Sequence, residues 1–135
     1  MDPRYLLDTN ICIHIRRHRP PTVLARFQRL KPGEAAISVI TYGELVYGAE
    51  KSQYRTQALR QLQELAGAIP VMTLPQEAGV TYGAIRAALE INGKIIGNND
   101  LWIAAHAKAA GLTLVTDNER EFKRVVGLKI QNWVR

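Results

Sequence analysis

The chain has 135 residues, 47% of them hydrophobic and 22% charged. That is enough apolar side chain for one packed domain over residues 1–135, and it excludes a disordered chain. The formal charge of +6 points to a polyanionic partner, nucleic acid first, although a basic surface also serves solubility. A single cysteine excludes an internal disulfide, and no apolar run is long enough to span a membrane. Met1-Asp2-Pro3 leads directly into apolar sequence, so no signal peptide and a cytoplasmic location are expected.

Tyr5-Leu6-Leu7 predicts a buried strand that stops at Asp8-Thr9-Asn10. A helix over residues 11–17 follows and runs out in Arg16-Arg17-His18-Arg19 before Pro20-Pro21. The basic cluster suits a helix carboxyl end, and it equally suits phosphate contact beside an acidic site. His14 and His18, at i and i+4, would share a metal only with a third ligand. Cys12 reads as a buried, inert thiol. Val23, Leu24, Phe27 and Leu30 space as a second helix, ended by Pro32-Gly33.

Residues 35–39 predict the second strand. Thr41 then opens a helix carrying Glu44, and another helix covers 57–66. Residues 69–74 predict the third strand, and the helix after Pro75 runs to Asn92-Gly93. Asp100 opens an alanine-rich helix that Gly111 ends, so something packs closely against it. Residues 112–115 form the fourth strand and stop at Thr116-Asp117-Asn118. Residues 119–123 allow one helical turn, and 128–130 alternate like a half-exposed fifth strand at the sheet edge. Strands alternating with helices imply a parallel sheet covered on both faces.

Asp8 and Asp117 share a setting, an apolar strand and then an acid with Thr and Asn beside it. The carboxyl ends of parallel strands lie on one sheet edge, where ligands of open α/β folds bind. Glu44 and Asp100 are expected in the first turns of helices that start near that edge. Each acid has an ordinary explanation: Asp8 as a helix cap, Glu44 in a capping box with Thr41, Asp100 as a first-turn acid, Asp117 as a turn residue. Together, such acids repel one another unless cations lie between them. The convergence points to a Mg²⁺ or Mn²⁺ site, with Glu121 a further candidate.

Leu7-Asp8-Thr9-Asn10, Tyr42-Gly43-Glu44-Leu45, Gly97-Asn98-Asn99-Asp100-Leu101-Trp102, Leu114-Val115-Thr116-Asp117-Asn118 with Glu121-Phe122, and Gln131-Asn132-Trp133 closely resemble PIN-domain ribonucleases. Within that superfamily the chain resembles the VapC toxins of VapBC toxin–antitoxin pairs. The resemblance implies a three-layer α/β/α fold with a central parallel sheet of four to five strands. It implies a Mg²⁺-dependent endoribonuclease that leaves 5′-phosphate and 3′-hydroxyl ends, with structured RNA as target and tRNA as the leading class. Asp8, Glu44, Asp100 and Asp117 fall on the family's metal-binding acids, and Glu121 competes with Asp117 for the last role. Thr9, Asn10, Thr116 and Asn118 are expected to support the acids or touch phosphate. A VapB-type antitoxin and a homodimer are the implied partners.

Arg16, Arg17, Arg19, Lys51 and Arg86 are expected to contact the RNA backbone. Two other classes fit less well. A phosphoryl-transfer receiver needs an acid after the third strand, where Pro75 stands, and Asp8-Thr9-Asn10 lacks the second acid of an Asp-x-Asp nucleophile. A binding module that has lost catalysis would not need the full set of acids.

Overall fold

The computed structural model describes residues 2–135. In chain order its elements are β1 (Tyr5–Leu7), α1 (Thr9–Arg17), α2 (Pro21–Gln28), β2 (Ala35–Ser38), α3 (Val39–Glu50) and α4 (Arg55–Ala68). There follow β3 (Val71–Met72), α5 (Gln76–Ile91), α6 (Asn98–Ala109), β4 (Thr113–Val115), α7 (Glu119–Phe122) and β5 (Ile130–Gln131). The strand order is β3-β2-β1-β4-β5, and every pairing is parallel.

The period of two along each strand builds the layers. Leu6 and Leu114, level with each other across β1 and β4, pack with Ile85, Leu89, Ile103 and Phe122 of α5, α6 and α7. Their neighbours Leu7 and Val115, also level, pack on the other face with Ile11, Ile15, Val23, Leu45 and Leu62 of α1 to α4. A strand buried on both faces must be apolar throughout, as Tyr5-Leu6-Leu7 and Ala35-Ala36-Ile37 are. Truncating Leu6 or Leu7, both fully buried, would cost about 2–5 kcal/mol. Ala104, Ala105 and Ala107 are fully buried in the first of these layers, so the expected close packing of α6 is found. Its turn into β4 passes through Gly111 at φ 69°, a conformation that a Cβ disfavours.

Two boundaries move with consequence. The helix expected to open at Thr41 begins at Val39, because Ser38 ends β2 and its hydroxyl accepts from the Ile40 N–H at 3.2 Å. Thr41 is buried inside the helix, so it forms no capping box, and Glu44 stands in the second turn rather than the first. The third strand shrinks from residues 69–74 to two residues. Ile69 closes α4, and Pro70 offers only its carbonyl, which accepts from Ile37 N–H at 2.9 Å. β5 falls at 130–131 rather than 128–130. Among the described residues no helix is long and apolar enough to cross a membrane.

Candidate active site

β1 ends where α1 begins, and Asp8 is the residue between them. Its Oδ1 accepts the Ile11 N–H at 2.9 Å as the helix cap, and its Oδ2 accepts the Thr116 hydroxyl. The cap and the site acid are thus one residue. Asp8 is 5% exposed. Burial, aided by the charge of Asp117, raises its pKa to about 6 against the pull of both hydrogen bonds and His14.

Asp100 lies in the first turn of α6. Burial first, then the charges of Glu121, Glu44 and Asp8, raise its pKa to about 7. Asp8, Glu44 and Asp100 line one pocket of about 160 Å³, with Thr9, Asn10 and Asn118 on its walls. Glu44 projects from α3 and is held there by the Thr9 hydroxyl and, at 3.4 Å, by the Asn99 amide. Glu121 accepts from the Gly97 N–H at 2.9 Å and from the Asn118 amide. A methyl on Gly97 would meet Asp100 Oδ2 at 3.6 Å and Glu121 Oε1 at 3.9 Å, which shows how closely those two acids flank the start of α6.

The four-acid set expected from sequence is therefore brought together in three members. The fourth, Asp117, turns to His14, whose Nε2 lies 3.1 Å from its Oδ2, and it does not line the pocket. The pairing of His14 with His18 around a metal does not form. His18 is the left-handed cap of α1 at φ 58° and is exposed. The Thr9 hydroxyl donates to Glu44, the Thr116 hydroxyl to Asp8 and the Asn118 amide to Glu121, while Asn10 is exposed on the pocket wall.

Two wider cavities share Thr9 and Glu44 with the acid pocket. One, of about 480 Å³, is lined by Arg16, Arg17 and Tyr54. The other, of about 620 Å³, is lined by Tyr47, Lys51 and Asn99. Arg19 is exposed beyond the end of α1. Arg86 is engaged on α5 with Glu90 and the Tyr82 hydroxyl, outside these cavities.

His14 and Asn99 are neighbours of the site that their local sequence does not mark as such. Asn99 stands out only as part of Gly97-Asn98-Asn99-Asp100, and His14 only as half of the histidine pair. Among the described residues no three His, Cys, Asp or Glu side chains form a ready-made metal cluster; the acids line the pocket without closing on a point. The donor set is nevertheless all oxygen, buried at Asp8 and half-buried at the others, and mutually repelling, which fits a hard divalent cation.

Residues 5–128 match the PIN domain. Over 131 residues the chain is 41% identical to ribonuclease VapC2 of Haemophilus influenzae, covering 97% of this chain and 98% of that one. The chain belongs to the VapC ribonucleases of the PIN-domain family. It is also 42% identical over 130 residues to the tRNA(fMet)-specific endonuclease VapC of Shigella flexneri, covering 96% of this chain and 98% of that one. The fold agrees with this VapC assignment. The DNA-bound VapBC structure from Salmonella typhimurium aligns with a TM-score of 0.91 at 37% identity, over 97% of this chain and 98% of that one. The PIN-like α/β/α sandwich expected from sequence is the fold observed, with five strands.

Proposed function

We propose that this VapC-family chain is a divalent-cation-dependent endoribonuclease and the toxin of a VapBC pair, cutting structured RNA with tRNA as the leading class. The observation that carries this reading is the pocket shared by Asp8, Glu44 and Asp100, with Glu121 at its edge, opening into cavities lined by Arg16, Arg17 and Lys51. Anionic oxygens suit a cation there, and the basic walls suit the phosphates on either side.

Asp8 and Asp100 are the principal ligands in this reading. Glu44, steadied by Thr9 and Asn99, binds the cation or orients the attacking water. Glu121 is the fourth acid, because it sits against Asp100 while Asp117 is turned to His14. Bound Mg²⁺, for which Mn²⁺ substitutes, supplies a water of lowered pKa and neutralises phosphate charge. Attack of water on phosphorus, with departure of the 3′ oxygen as it takes up a proton, would give 5′-phosphate and 3′-hydroxyl ends. Thr116 fixes the Asp8 carboxylate, and Asn118 fixes that of Glu121.

Similarity to the VapBC structures and the VapC relatives supports a VapB-type antitoxin as partner, a toxin homodimer and a cytoplasmic place of action. The test is incubation of the purified chain with bulk tRNA and with other RNAs. Cleavage should need Mg²⁺ or Mn²⁺, stop with EDTA and leave 5′-phosphate ends. RNA bound but never cut under those conditions would refute the catalytic reading.

A further inference from the structure

The cavity beyond Glu44 on the α3 side holds an aromatic residue that catalysis does not use. Tyr47 lies one helical turn after Gly43 and Glu44, and 65% of it is exposed. A tyrosine this open covers no core and caps no helix. It lines the cavity of about 620 Å³ together with Thr9, Glu44, Lys51 and Asn99. The Lys51 ammonium stands 4.7 Å from the centre of its ring, a cation–π contact that fixes a positive charge at the ring face. Glu44 and Thr9 are walls both of this cavity and of the acid pocket. The ring is therefore a close neighbour of the acids.

We propose that Tyr47 and Lys51 form a nucleotide subsite, in which the Tyr47 ring stacks on an unpaired RNA base beside the scissile phosphate and Lys51 holds the adjoining phosphate. This rests on the nuclease reading above and adds to it the requirement that the RNA be single-stranded at the cut.

The chemistry of the cavity selects that occupant. An exposed ring is a sequence-tolerant platform for bases, because every base has a π face. A cation held at its face meets the phosphate that accompanies each base. Gly43 has nothing within 4 Å of the position a Cβ would take, so the helix surface before Tyr47 is open to a flat group. Arg16, Arg17 and the equally exposed Tyr54 line the other cavity that shares Glu44. A strand laid across Glu44 thus meets phosphate-binding charge in both cavities, and Tyr47 is the ring with a cation held against its face. A base-paired segment cannot offer an open base face to the ring, so a loop or bulge is the form that fits.

The experiment uses the full chain with Asp8→Asn to prevent cleavage and a short fluorescent single-stranded RNA as probe, with the same RNA annealed into a duplex beside it. Tyr47→Ala should weaken single-strand binding roughly 5- to 150-fold, the range that base–aromatic stacking spans. Tyr47→Phe should bind as the tyrosine protein does, and duplex binding should change little in either variant. An RNA carrying 2-aminopurine should lose fluorescence on binding the tyrosine protein but not on binding the Tyr47→Ala variant.

Equal single-strand affinity for Tyr47→Ala and the tyrosine protein overturns the subsite. Unchanged RNA affinity with a shifted monomer–dimer equilibrium overturns it too, and assigns the face to a second copy of the chain. In a separate arm the chain with Asp8 intact is given RNA and Mg²⁺. Absence of cleavage there refutes the nuclease reading, whereas normal cleavage with a Tyr47→Ala variant of unchanged affinity refutes the subsite alone.

Discussion

The carboxyl ends of β1 and β4 read alike in the sequence and behave differently in the fold. Each is an apolar strand followed by an acid with Thr and Asn beside it, directly after the strand at Asp8 and one residue later at Asp117. The register separates them: Leu7 is level with Val115, so the residue level with Asp8 is Thr116, not Asp117. Thr116 donates its hydroxyl to Asp8, and Asp117, one position further, turns away to His14. Asp8 is nearly buried and holds its proton up to about pH 6, while the Asp117 side chain is 30% exposed. A shift of one residue in a structure of period two sends the second acid toward His14, away from the pocket that Asp8, Glu44 and Asp100 line.

That difference can be broken most heavily at the buried acids. Asp8→Asn and Asp100→Asn should each lower RNA cleavage by roughly three orders of magnitude, about 4 kcal/mol of barrier. An asparagine amide oxygen caps a helix as well as a carboxylate does, so Asp8→Asn should fold at least as well as the parent. Cleavage at the parent rate by either variant would remove these residues from the site.

The comparison of Glu121 with Asp117 comes next. Glu121→Gln should cost roughly 10- to 100-fold in activity or cation affinity, a loss that disturbing a site's outer ligands commonly produces. Asp117→Asn should cost only a few-fold, as should His14→Ala. Reversal of that order would restore Asp117 as the fourth acid. Glu44→Gln should be as stable as the parent and nearly inactive, since Ser38 and not Glu44 caps α3. A fully active Glu44→Gln protein would end its catalytic assignment.

Asp8, buried, and Asp100, half-buried, also tie stability to pH. Their pKa values are raised above the ordinary 3.8, to about 6 and about 7, so the fold favours the protonated forms. Their contribution is complete below pH 3.8 and is lost as pH rises through those values. Glu34 and Glu119, whose pKa values are lowered by hydrogen bonds, act in the opposite sense, losing their contribution only as pH falls below the ordinary carboxylate range. In EDTA the melting temperature should therefore fall between about pH 5 and pH 7.5, and Mg²⁺ should recover it at the upper value. For Asp8 the effect is on the order of 2–3 kcal/mol, and Asp8→Asn should flatten the profile. A profile unaffected by Mg²⁺ and by Asp8→Asn would contradict the repelling cluster.

The smallest effect lies on the rim. Neutralising Arg16, Arg17 and Arg19 together should weaken RNA binding and lower the salt slope by roughly one for each phosphate that is no longer touched. Arg16 and Arg17 line a cavity next to Glu44, whereas Arg19 does not, so a slope change of about two is expected rather than three. Identical slopes would leave the cluster as a solvated helix end.

The layers of this fold were legible because burial on both faces leaves strands apolar and helices periodic. Asp8 stood out as an acid that ends an apolar run, and Asp100 as the acid of Gly97-Asn98-Asn99-Asp100 at the start of an alanine-rich helix. The start of α3 was misleading because Thr41 and Glu44 satisfy the spacing of a capping box, while the cap is Ser38, which reads as strand. The roles of Asp117 and Glu121 stayed open because strand register is a relation between residues 7 and 115, and local pattern does not encode it. Tyr47 lies in the stretch around Glu44 but showed no role of its own there, since its exposure is a property of the finished surface.

The hydrogen bond between Thr116 and Asp8 joins residues 108 positions apart, and Asp100 and Glu121 also lie far toward the carboxyl end. During synthesis, Asp8 and Glu44 leave the ribosome long before the residues that complete their pocket. A nascent chain short of β4 has three of the four acids, but neither Thr116 to fix Asp8 nor a strand to hold β1 on that side, so its acid pocket is incomplete. If the proposed cutting of tRNA holds, the order of the chain is itself a delay: the pocket closes only once β4 and α7 have been made.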